Sequence, residues 1–310
     1  MTAFETITKT SHRTTYPTIS PLRPELSQAG KTVLITGGSA GIGYAIACAF
    51  VQARAAKLII VGRRPGPVSK AVSSLTALSN STFATQTREA GVGYGSPTAV
   101  VGLECDVGSP VDAAALWARL AGEGTVVDVL VLNAAAIPPV KPLLDMGAEL
   151  WATYYDVNVR AQLDFAGRFY RQLGKGVDET KYLVHVSTMA IHNWEINPAR
   201  TYSVTKSAGA AALQAVAADV PPEQMQIVNY HPGAIFTPGA QDAGYVDESL
   251  PWDEPDLPGD FAVWAATPEA RFLHGRFVWA SWDVDELKTG ELRKRIDEDP
   301  WFLKVGVRGL

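Results

Sequence analysis

Short, continuous runs of apolar and β-branched residues alternate with helical patterns along most of this chain, and that alternation leaves few folds open to it. The runs lie at residues 32–36, 57–62, 98–105, 126–132, 182–187, 226–231 and 276–280. Strands that read as apolar throughout are covered on both faces, which is the habit of parallel sheets. Helical patterns fill the gaps at residues 42–54, 111–120, 149–173 and 202–219, the last rich in alanine. Pro110 and Asp112 suit the start of the second helix, and Pro221-Pro222 suits the end of the fourth. Repeated strand–helix–strand units demand right-handed crossovers. The expected fold class is therefore α/β, a doubly wound parallel sheet with helices on both faces.

With 310 residues, 47% apolar and 19% charged, the chain can bury a large core. A net charge of −5 gives no general attraction to nucleic acid or an anionic membrane. No run approaches the roughly 18–20 apolar residues that span a bilayer. Residues 1–30 are rich in Thr, Ser and Pro, without the apolar core of a signal peptide or the arginines of a transit peptide. They read as a loosely ordered or surface-wrapping arm ahead of a single domain at residues 31–310. Cys48 and Cys105 match no metal spacing and suit a reducing, cytoplasmic setting as small buried hydrophobes. His12, His185, His231 and His274 have no ligand spacing, so no metal is expected.

Two stretches look irregular. Residues 80–97, with Gly91, Gly93 and Gly95, read as a surface insertion. Residues 235–259 follow the sixth strand, at the carboxyl edge where ligands bind in such sheets, and read as a lid.

The first strand ends in Thr36-Gly37-Gly38-Ser39-Ala40-Gly41-Ile42-Gly43, and a helix follows. Glycines let the backbone turn tightly and approach a pyrophosphate, while the helix start offers free N–H groups and the positive end of its dipole. Gly37, Ser39, Gly41, Ile42 and Gly43 are the candidate cradle. This T-G-x-x-x-G-x-G spacing resembles the short, single-domain branch of the short-chain dehydrogenase/reductase family, whose sheet is Rossmann-like. In dinucleotide folds an acidic residue at the end of the second strand takes the ribose hydroxyls and marks NAD. Here that strand ends Val61-Gly62-Arg63-Arg64. Arg63 can meet a 2′-phosphate through bidentate, charge-assisted bonds, so the expected cofactor is NADP.

The resemblance covers residues 31–280 and implies further roles. Asp106, followed by Val107, would bond the adenine amino group, a helix cap being the alternative. Asn133, in Asn133-Ala134-Ala135-Ala136, matches the family's Asn-Ala-Gly, with Ala135 replacing the glycine beside the nicotinamide ribose. In Pro232-Gly233-Ala234-Ile235-Phe236-Thr237, Gly233 forms the turn. The backbone of Ile235 would meet the nicotinamide carboxamide, and Thr237 would bond that amide or a phosphate.

Hydride transfer to a carbonyl requires a proton donor and a group that stabilises the developing alkoxide. A phenol is a poor base near neutrality unless an ammonium stands close, and residues four apart share a helix face. Tyr202-Ser203-Val204-Thr205-Lys206 has that spacing. Ser187 ends the fifth strand upstream, and Asn158 lies in the long helix. The resemblance assigns Tyr202 as proton donor or acceptor. Lys206 would lower its pKa and hold the ribose hydroxyls, Ser187 would bond the substrate oxygen, and Asn158 would support a proton-relay water. Read singly, these residues are a packed aromatic, a solvated lysine, a strand-end hydroxyl and a core amide; together they favour catalysis.

The expected activity is interconversion of a carbonyl and an alcohol on a small molecule. His192, Trp194, Tyr245 and Trp252 are candidates to line the substrate side. Family enoyl reductases space Tyr and Lys wider than four, which argues against C=C reduction. A non-catalytic NADP-binding sensor is the alternative from another class, usually marked by loss of the tyrosine or lysine. The family also implies a homodimer or homotetramer packed through residues 149–173 and 202–219.

Overall fold

The computed structural model describes residues 6–90, 95–173, 179–192, 200–242 and 244–306. Its strands are β1 (Thr32–Thr36), β2 (Lys57–Gly62), β3 (Ala99–Glu104), β4 (Val129–Leu132), β5 (Lys181–Val186), β6 (Met225–His231) and β7 (Phe277–Trp279). They form one sheet in the order β3-β2-β1-β4-β5-β6-β7, and every pairing in it is parallel. The order reverses between β1 and β4, opening a crevice at their carboxyl ends.

The helices are α1 (Gly41–Gln52), α2 (Pro65–Ala90), α3 (Pro110–Gly122), α4 (Ala161–Tyr170), α5 (Arg200–Asp219), α6 (Pro238–Asp242), α7 (Asp256–Ala265), α8 (Val284–Lys288) and α9 (Gly290–Glu298). A π-helical segment, Leu150–Arg160, runs directly into α4. None of the described helices is long and apolar enough to cross a membrane.

Alternate residues of each strand enter opposite core layers. Val33 and Ile35 join Leu58 and Ile60 against α1, α2 and α7. Leu34, Ile59 and Leu130 join the layer under α3, α4 and α5. Each such side chain, fully removed from water, contributes about 1.5–3 kcal/mol. Cys105 lies in the second layer, where burial pushes its thiol up to about 12; burial raises Cys48 as well, so both thiols stay protonated.

Two expectations need correction. Residues 80–90 are not an insertion but the second half of α2. Its inner face is Val68, Ala71, Leu75 and Ser79, at spacings of three and four, all nearly buried. Residues 91–94 lie outside the described set. The segment 235–259 is not one irregular loop either: it holds α6, a 3-10 turn at Asp247–Ser249 and the start of α7. Leu257, Pro258 and Gly259 are buried in α7.

The N-terminal arm wraps the body. Ile19 and Leu26 are fully buried in the α1 layer, and the Tyr16 hydroxyl donates to the Trp282 carbonyl at 3.1 Å.

Candidate active site

The carboxyl ends of β1, β4, β5 and β6 bring most of the sequence-derived candidates to one edge. At the end of β1 the chain reverses with Gly37 at φ +67° and Gly41 at φ +53°, a region that L side chains rarely adopt. A Cβ on Gly43 would lie 2.2 Å from the Gly37 carbonyl oxygen, so the first turn of α1 closes directly onto the strand end. Ala40 precedes α1 and supplies no side-chain cap. The N–H groups of Gly41, Ile42 and Gly43 thus open the helix without a capping acceptor, a fit for phosphate oxygens.

Asn133, at the end of β4, braces this turn. Its amide Nδ2 donates to the carbonyls of Thr36 at 3.0 Å and Gly37 at 3.2 Å. The N–H groups of Asn133 and Ala134 donate to the Thr36 hydroxyl at 2.9 and 3.1 Å. Arg63 and Arg64 are exposed at the end of β2. Asp106 Oδ1 accepts from the Gly108 N–H at 2.9 Å. The cap of α3 is not Asp106 but Ser109, whose hydroxyl accepts from the Asp112 N–H at 3.2 Å. Val107 is buried in the core layer below.

After β6, Gly233 turns at φ +96°. Asp253, which the sequence reading did not single out, holds this turn: Oδ2 accepts from the Ala234 N–H at 2.9 Å, and its own N–H donates to the Ala234 carbonyl at 2.7 Å. Ile235 is buried. Thr237 stands against the glycine turn, its Cγ2 3.1 Å from where a Gly41 Cβ would sit. The post-β6 segment and the α1 N-terminus therefore share one wall.

On the opposite side, Asn158 is fully buried in the π-helical segment. Its Oδ1 accepts from the Ala136 N–H at 2.9 Å, and its Nδ2 donates to the Ala136 carbonyl at 2.9 Å and the Thr205 hydroxyl at 3.0 Å. This one amide joins the post-β4 loop to α5. Ser187, directly after β5, is 3% exposed, and its hydroxyl has no hydrogen-bond partner. An orphaned buried hydroxyl is costly unless a ligand atom meets it.

Tyr202 and Lys206 lie one turn apart in α5. Lys206 is 1% exposed and reaches β5, donating to the Val186 carbonyl at 2.8 Å and contacting His185 Nε2 at 3.3 Å. Burial lowers the Lys206 ammonium to about 7. Burial raises the Tyr202 phenol to about 12, so the direction expected for this phenol from the sequence is reversed. The cause is burial, which favours the neutral phenol.

Among the substrate-side candidates, Tyr245 and Trp252 pack edge to face at 5.8 Å, and Phe236 packs on Trp252 at 5.1 Å. His192 packs edge to face on Phe277 at 4.6 Å. Trp194 lies outside the described residues.

A family model described as enoyl-(acyl carrier protein) reductase matches residues 37–269. The short chain dehydrogenase/reductase AacuD of Aspergillus aculeatus is 35% identical, covering 98% of both chains. A 3-oxoacyl-[acyl-carrier protein] reductase with bound NAD from Brucella melitensis superposes with a TM-score of 0.65 at 25% identity, covering 88% of this chain and 98% of that one. A short chain dehydrogenase from Burkholderia cenocepacia in complex with NADP has a TM-score of 0.63 at 24% identity, covering 81% of this chain and 96% of that one.

Proposed function

This chain belongs to the short-chain dehydrogenase/reductase family, oxidoreductases of CH–OH and C=O groups that use a nicotinamide cofactor, and from that premise we propose that it reduces a ketone or aldehyde with NADPH, Tyr202 delivering the proton. The observation that carries this reading is the unpartnered, buried Ser187 hydroxyl beside Val186, whose carbonyl holds Lys206.

A bound dinucleotide would supply the hydride. The glycine turn and the first N–H groups of α1 would receive its pyrophosphate. Arg63 supplies a charged fork for a 2′-phosphate, which supports NADP over NAD. Asp106 would meet the adenine, while Gly233, Ile235 and Thr237 would border the nicotinamide end. Ser187 bonds the substrate oxygen and polarises the carbonyl. Tyr202 donates its proton as negative charge develops on that oxygen, and the Lys206 ammonium one turn away stabilises the phenolate left behind. Asn158 fixes the post-β4 loop against α5, so the two sides of the cleft keep register.

The four-residue Tyr–Lys spacing supports C=O rather than C=C reduction. Phe236, Tyr245 and Trp252 form one aromatic face on the segment between β6 and α7, which we read as a lid over a flat or apolar substrate. The apolar surface at Trp151, Leu163 and Leu173 supports packing of a dimer or tetramer through the α4 side.

The test is oxidation of NADPH and NADH with a panel of ketones. Turnover is expected with NADPH, and Arg63→Ala is expected to weaken NADPH binding about tenfold or more while leaving NADH unchanged. An unchanged NADPH affinity removes Arg63 from the cofactor site. No turnover by any ketone with either nucleotide removes the enzymatic reading.

A further inference from the structure

His185 is a fully buried histidine, next to last in β5, a strand otherwise occupied by packing residues and a lysine. Its Nδ1 lies 2.9 Å from Asn229 Oδ1 on β6, and its Nε2 lies 3.3 Å from Lys206 Nζ on α5. Asn229 is 1% exposed, so the three side chains form a dry row behind the catalytic edge.

The proton positions follow from the partners. The Asn229 amide is oriented by its own neighbour: Nδ2 points to the Arg276 carbonyl at 3.5 Å, and a flipped amide would set two oxygens face to face. Oδ1 therefore faces His185 and can only accept, so Nδ1 carries the hydrogen. Nε2 then holds a lone pair. The Lys206 ammonium has three donors and no acceptor, so the contact is an N–H of Lys206 given to His185. The Val186 carbonyl takes a second N–H at 2.8 Å.

We propose, resting on the catalytic reading of Lys206, that His185 is a positioning residue: its Nε2 lone pair, fixed by Asn229, shares the Lys206 ammonium with the Val186 carbonyl and leaves one N–H for the nucleotide cleft. A neutral acceptor pair of this kind also keeps the ammonium charged against the burial that lowers it.

The groups facing the row support a permanently neutral imidazole. Burial, and then the Lys206 charge on α5, hold His185 well below its ordinary value, outweighing the bond to Asn229. β6 presents the uncharged Asn229, and β4 pairs the uncharged Leu132 with His185. Among the described residues, the side chains acting on this imidazole are Lys206 and Asn229.

Two measurements test this. The first needs no activity: histidine 15N spectra of the full chain, assigned by the loss of one ring in His185→Gln. His185 is expected to stay in the neutral Nδ1–H form from about pH 5.5 to 8.5. A ring protonated on Nε2, or one that titrates in that range, overturns the proposal. The second is the pH profile of kcat/KM with an active ketone. His185→Leu is expected to move the alkaline limb down by about one pH unit, roughly a tenfold loss of ammonium near neutrality. His185→Gln, which keeps an acceptor oxygen, is expected to restore most of it. Asn229→Asp, which makes the imidazole a stronger acceptor, is expected to move the limb up. A His185→Leu enzyme that folds and keeps the parent profile overturns the proposal. If no ketone turns over with the parent, the enzymatic reading fails, and the spectra alone decide the His185 arrangement.

Discussion

Gly43 shows how much a single missing side chain decides here. A Cβ at this position would fall 2.2 Å from the Gly37 carbonyl and 2.5 Å from Asn133 Nδ2. Neither can yield freely, because Asn133 is bonded to that same carbonyl and to Thr36. Gly43→Ala must therefore open the glycine turn. The expected result is a loss of nucleotide affinity of about tenfold or more, with a destabilisation of roughly 1–3 kcal/mol. Fluorescence titration with NADPH and thermal melts check both, and parent values in each would contradict the packing. At this scale residue type and spacing singled out Gly43, Ser187, Tyr202 and Lys206, which the fold sets at the start of α1, just after β5 and along α5. It was silent about where Lys206 points. The ammonium bonds β5 through Val186 and His185, a matter of strand pairing that lies 20 and 21 positions away in the chain. His185 carried one signal, a titratable side chain inside a strand buried on both faces. Asp253 carried none, since its role depends on the fold returning it to the Gly233 turn.

Among elements, all seven strands were legible within a few residues, because continuous β-branched runs have few other uses. The helices divided by the chemistry of their inner faces. α3 and α5 showed alanine and leucine at helical spacing. α2 hid because part of its inner face is small or polar; Ser79 is 2% exposed and donates to the Thr98 carbonyl at 3.1 Å. α7 hid behind Pro258 and Gly259 in its first turns, residues that ordinarily interrupt helices. Gly259 is there for contact: a Cβ would stand 2.8 Å from the Ala45 carbonyl, so α7 crosses α1 at a glycine. The π-helical segment had no signature of its own in the sequence, where residues 149–173 read as one continuous helix. It nonetheless carries Asn158, whose amide ties the post-β4 loop to α5.

For the whole molecule, the arm and the C-terminal helices form a belt, and Arg13 of the arm also pairs with Asp253 at 3.2 Å. His12 pairs with Asp283 at 2.8 Å, and Thr15 donates to Asp260 at 2.5 Å. Asp260 is 4% exposed, and burial raises its carboxyl from 3.8 to about 7. The folded state thus binds this proton more tightly than the unfolded chain, so the contribution is present at low pH and is lost as pH rises from about 4 through 7. Asp260→Asn keeps an acceptor for Thr15 and removes the charge. Its melting temperature, relative to the parent, is expected to rise between those two pH values, and a constant difference would contradict the burial argument. The belt steadies a sheet whose carboxyl edge gathers a glycine turn, an unpartnered hydroxyl, a phenol and an ammonium. What that gathering means rests on one proton. The direct measurement is kcat with NADPH and an active ketone for Tyr202→Phe, beside nucleotide affinity for the same variant. A fall in kcat of about 10²–10⁴-fold with near-parent affinity is predicted; turnover at the parent rate would contradict the account.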